Sequence, residues 1–135
     1  MRIFCLTIFV LMGASAYGED CWVFKKIDRG SQIKSLKIKM GPSEDVKAPQ
    51  SEHLAKIEAK DLQGISVGGQ VSCSKTSPTR WQCHRSDDGG SFELSLEKEN
   101  VTFSTSYFVL GIEGDQLTLQ SESNDPWIFE GAKCR

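Results

Sequence analysis

Apolar and polar residues alternate along much of this chain, and that alternation limits what it can fold into more than any other feature. In LKIKM, Leu36, Ile38 and Met40 fall on one side and Lys37 and Lys39 on the other; in FELSLE, Phe92, Leu94 and Leu96 are separated in the same way. Successive side chains of an extended backbone leave opposite faces, so a period of two marks a strand with one face buried. CWVFKKI, TRWQCHR, NVTFSTS, YFVLGI, QLTLQS and PWIFEG are further short runs rich in aromatic and β-branched residues, punctuated by DDGG, EKEN and EGD. The expected fold is all-β or mainly β: a single antiparallel meander closing as a small sandwich or barrel. In SEHLAKIEAKDL, Ala55, Ile57 and Ala59 alternate with Lys56, Glu58 and Lys60, although Ala, Lys, Glu and Leu are helix formers and Ser51 could cap a helix. The alternation favours a strand there. GPSEDVKAPQ, residues 41–50, has two prolines and no apolar period, so it reads as a flexible surface loop.

Cysteine placement narrows the fold further. Arg2, the apolar run IFCLTIFVLM and the small residues of ASAYG read as a secretory signal over residues 1–18, leaving one domain over 19–135. The apolar run is shorter than the roughly 20 residues that cross a bilayer, so no membrane span is expected after cleavage. Cys5 leaves with the signal. Cys21, Cys73, Cys83 and Cys134 then lie in an oxidising compartment, where an even set should pair. Three connectivities are possible. Cys21 and Cys134 stand at the two ends of the mature chain, whereas Cys73 and Cys83 flank a turn containing Ser77-Pro78. Cys21–Cys134 and Cys73–Cys83 are therefore the expected bridges, and they staple the domain.

RWQCHRSDDGG, residues 80–90, gathers residue types that bind metals and activate nucleophiles. With Asp88-Gly89 at the centre of a two-residue hairpin turn, Cys83 faces Leu94, Trp81 faces Leu96 and His84 faces Glu93. Trp81 and Cys83 then point to the core and His84 to solvent. Adjacent Asp87 and Asp88 do not match the alternate carboxylates of a calcium loop, and two histidines with oxidised cysteines make a poor zinc site. There is no G-x-S-x-G elbow and no free thiol. Neither a catalytic residue, a metal nor a cofactor is expected. A hydrolase using paired carboxylates from the acid-rich second half is the third functional reading.

Charge is uneven along the chain. Residues 22–60 carry nine Lys or Arg against five acids, and 61–135 carry six against eleven. Linear halves are expected to interleave in a folded sheet, dispersing this asymmetry over solvated faces. Trp22 and Trp81 lie close to cysteines and read as core; Trp127, after Pro126 near the chain end, is the candidate for exposure. Lys37 and Lys39, with Lys25, Lys26 and Arg29 nearby, form a possible basic face that lacks the interleaved aromatics of a nucleic-acid platform. The candidate binding surface is thus Trp127, Lys37, Lys39 and His84, facing an extracytoplasmic protein or an anionic glycan and no nucleic acid. The expected function is an exported, non-enzymatic binding module: an inhibitor of an extracytoplasmic enzyme, or an envelope or glycan-binding protein. A barrel carrying an apolar ligand is the alternative. The periplasm is favoured over secretion; the Asn100-Val101-Thr102 sequon matters only in a glycosylating host.

Overall fold

A computed structural model describes residues 20–27, 33–42, 52–85, 88–111, 116–121 and 125–135. The expected signal, most of the loop over 41–50, Asp87 and Arg29 lie outside the described residues. Nine strands run in chain order: β1 (Asp20–Lys26), β2 (Ile33–Pro42), β3 (Glu52–Asp61), β4 (Ser66–Ser77), β5 (Arg80–His84), β6 (Gly90–Glu97), β7 (Asn100–Leu110), β8 (Leu117–Gln120) and β9 (Trp127–Lys133). Each of β1 to β7 pairs antiparallel with the next, and β9 closes the circle between β7 and β1. The product is an eight-stranded barrel, with β8 added beside the C-terminal half of β7. Closure removes the free edges that an open sheet would present. Among the described residues no helix is long and apolar enough to cross a membrane.

Period-two alternation fills the interior. Trp22 and Phe24 of β1, Leu36 and Ile38 of β2, Ala55 and Ile57 of β3, and their counterparts around the barrel form one buried cluster. Phe103 is its centre, stacked on Phe92 at 4.8 Å and on Phe129 at 5.3 Å between ring centroids. Both disulfides join the expected partners. Cys21–Cys134 links the start of β1 to the residue after β9, with the Cys134 N–H donating to the Cys21 carbonyl at 2.9 Å. Cys73–Cys83 joins directly opposed positions of β4 and β5. Two intramolecular disulfides point to an oxidising, exported environment.

Three local expectations change. SVGGQVSCSKTS carries no strand pattern legible in the sequence, yet it forms β4; paired on both sides, it is held by its neighbours despite Gly68-Gly69 and its serines. NVTFSTS and YFVLGI join into the single strand β7, whose first half pairs β9 and whose second half pairs β8. The β5–β6 hairpin is shifted by two residues: Trp81 faces Leu94, Cys83 faces Phe92, and His84 faces Ser91 rather than Glu93. The cause is a wider loop, in which the Arg85 N–H donates to the Gly90 carbonyl at 3.1 Å. Gly90 adopts a left-handed φ of 88°, and a β-carbon there would overlap the Tyr107 carbonyl. Glycine is required at that position. An even shift preserves the faces, so Trp81 and Cys83 remain inside and His84 outside.

Candidate functional site

β5 is short, and its shortness makes a groove. It ends at His84, opposite Ser72, whereas β4 extends back to Ser66 with β3 still beside it. The end of β7 comes in where β5 stops, bringing the Gly111 backbone next to Gly69. Arg85 fastens this arrangement: its Nη1 donates to the carbonyls of Val109 at 2.7 Å and Gly111 at 2.8 Å. The resulting open groove, of about 740 Å3, is lined by Leu54, Lys56, Gln70, His84, Arg85 and Val109, among others. Among the described residues its charged or titratable lining groups are Lys56, His84 and Arg85, with no carboxylate.

Pairing connects the groove to the basic strand. Lys39 of β2 lies directly opposite Lys56 of β3, and Lys56 lies opposite Gln70 of β4. The neighbouring row runs from Leu54 through Ser72 to His84. Like charges directly opposed across two strands cost roughly 0.2 to 1 kcal/mol. Neither Lys39 nor Lys56 has an ion pair or hydrogen bond among the described residues. Lys37 lies one row away, opposite Glu58, and is half-buried. An anion seated along the Lys39–Lys56 row would relieve the repulsion and gain attraction from two ammonium groups at once.

The charge asymmetry does not disperse as expected. A meander keeps chain neighbours as spatial neighbours, so β1, β2 and β3, which carry Lys25, Lys34, Lys37, Lys39, Lys56 and Lys60 against Asp20, Glu52, Glu58 and Asp61, form one contiguous side of the barrel with a modest excess of positive charge. Trp127 stands elsewhere. On β9 it shares the inward parity of Phe129, is half-buried against the core, and has its Nε1 buried with no acceptor among the described residues. Trp22 and Trp81 are buried, Trp81 with its ring 4.7 Å from that of His53 and 5.3 Å from Lys75 Nζ.

Of the four candidate surface residues, the structure brings Lys39 and His84 to the groove region, sets Lys37 beside it and separates Trp127 from it. Sequence reasoning missed Lys56, Gln70 and Arg85 as site residues. The alternation of β3 makes Lys56 outward-facing in the sequence itself, but its juxtaposition with Lys39 needs the β2–β3 register. Among the described residues no group of three or more His, Cys, Asp and Glu could hold a metal ion. Comparison of the chain with protein-family models, curated proteins and solved structures finds no match.

Proposed function

We propose that this protein is an exported, non-enzymatic binding module that takes an anionic polymer of the cell envelope or its surroundings, an acidic glycan above all, along the Lys39–Lys56 row and into the groove beside His84. The opposed lysines, unpaired among the described residues, carry the reading, because their repulsion costs stability in the free protein and an anion lying between them relieves it. The contiguous lysine-bearing side would attract such a polymer from a distance, although the whole chain is slightly acidic at a formal charge of −2. Two observations weigh against the other readings. The interior is filled by side chains such as Phe103 and Ile38, where a carrier of an apolar ligand would need space. A hydrolase would need converging carboxylates, and among the described residues that line the groove there is none.

The test uses polygalacturonate as an anionic probe and dextran as a neutral one. Calorimetric titration should show saturable binding of polygalacturonate that weakens as salt is added, and none of dextran. The pair Lys39→Glu and Lys56→Glu should weaken binding about tenfold, because reversing two exposed charges changes the interaction by roughly 1 to 2 kcal/mol. Equal binding by the reversed variant, or equal affinity for dextran, would reject the proposal.

A further inference from the structure

β4 loses its neighbour partway along, and the backbone left bare there lies in the groove. The Arg85 N–H donates toward β6, to the Gly90 carbonyl, so by alternation Cys83 also pairs toward β6 and the intervening His84 directs its backbone groups toward β4. The Cα separation of 4.0 Å between Cys73 and Cys83 agrees, being that of a close pair without ladder hydrogen bonds. Ser72, opposite His84, therefore turns its N–H and C=O toward β5; Gln70 and Gly68 turn theirs the same way, where β5 has ended. Among the described residues neither Gln70 nor Gly68 has a hydrogen-bond partner on that side, and both are exposed. Gln70 lines the groove between Lys56, directly opposite it on β3, and the wall that Arg85 fixes through the Val109 and Gly111 carbonyls. Leu54 and Val109, both half-buried, supply apolar surface to the same groove.

We propose that the acidic glycan bound here carries an acetamido group beside its carboxylate, and that the Gln70 backbone is what recognises that group. The inference rests on the acidic-glycan reading and narrows it to N-acetylated acidic glycans. An acetamido group combines an acceptor, a donor and a methyl group in one planar unit. Its carbonyl accepts the Gln70 N–H as a neighbouring strand would, a hydroxyl of the same sugar donates to the Gln70 carbonyl, and the methyl group covers Leu54 and Val109. Lys56 and Lys39 take the carboxylate from the adjacent strands, about 4.8 Å further per strand. A plain polyuronate offers this edge hydroxyls alone and leaves the apolar wall uncovered. An extended peptide would need a run of bare backbone groups. Among the described residues lining the groove, Gln70 is the one β4 position that provides them, since Ser72 is opposite His84 and Gly68 lies beyond the lining.

The experiment compares hyaluronate oligosaccharides, which alternate glucuronate with N-acetylglucosamine, with oligoglucuronates carrying the same number of carboxylates. In calorimetric titration of the full chain, hyaluronate should bind about tenfold more tightly, as expected for one added hydrogen bond and one buried methyl group. The Gln70 amide should exchange fast in the free protein and slowly with hyaluronate, but stay fast with oligoglucuronate. Gln70→Pro removes that N–H without removing a bond to β3, a place where a strand tolerates proline, and should bring the preference between the two ligands close to unity. Leu54→Ser should reduce the same preference and serves as the check if proline disturbs β4. Equal, salt-sensitive affinity for the two ligands would overturn the acetamido inference while the acidic-glycan reading stood; binding of neither would remove both. A fast-exchanging Gln70 amide in the hyaluronate complex, or protection by oligoglutamate and not by hyaluronate, would also overturn it.

Discussion

Trp81 and His84 stand three positions apart on the same short strand, and parity separates their roles. Trp81 is 4% exposed and packs beside the Cys73–Cys83 bridge, with His53 and Lys75 against its ring. Trp81→Ala should cost about 3 to 5 kcal/mol, because lost transfer energy and the residual cavity add. His84 is exposed and faces Ser72 and Ser91, with no carboxylate directly opposite. His84→Ala should therefore change stability by less than about 0.5 kcal/mol. Urea denaturation of the two variants checks the contrast; comparable losses would mean that the histidine belongs to the core. Glu93 instead lies opposite Gln82 and 3.5 Å from Arg80, in a pair exposed enough to be worth little. At this scale the inward and outward sides were legible in the sequence, since a two-residue error in register leaves parity unchanged. The partner of His84 was not, because it depends on a loop width set by Gly90 and by the passage of β7 over it.

Elements with strong alternation and branched or aromatic residues, such as β2 and β6, could be read from the chain; β4 could not. Its signal is confined to Val67, Val71 and Cys73, spaced by glycines and serines, and its strand character comes from β3 and β5 on either side. The groove was hidden for the same reason, since it arises where β5 stops and β4 continues. The first and last strands show how the barrel is held shut. β1 and β9 pair only over Trp22 to Lys26, with a bulge between Phe24 and Lys26, and Cys21–Cys134 closes this seam. A bridge across 113 residues contributes about 4 to 5 kcal/mol on the chain-entropy account. Replacing Cys21 and Cys134 by serine should lower stability by that order. Amides of β1 and β9 should exchange with solvent before those of β5, β6 and the first half of β7. Uniform loss of protection across the barrel would show that the bridge does not guard the seam.

Across the whole molecule, the meander turns an uneven distribution of charge along the chain into an uneven distribution in space. The lysines of β1 to β3 share a side because their strands are consecutive, and the basic row meets the groove because β3 is the last strand of that side. Composition alone points away from this, as a slightly acidic chain does not announce a local cationic face. The barrel supplies the rigid frame, and only the outward positions of β2 to β5 and the end of β7 carry the proposed recognition. The most direct measurement of that claim is a map of backbone amide shifts in the isotope-labelled protein as oligogalacturonate is added at low and then higher salt. Shifts should concentrate at Leu54, Lys56, Gln70, Ser72, His84 and Val109, with Lys39 beside them, and fade as salt rises. Shifts gathered instead around Trp127 and Thr105, or spread evenly over the surface, would contradict the account.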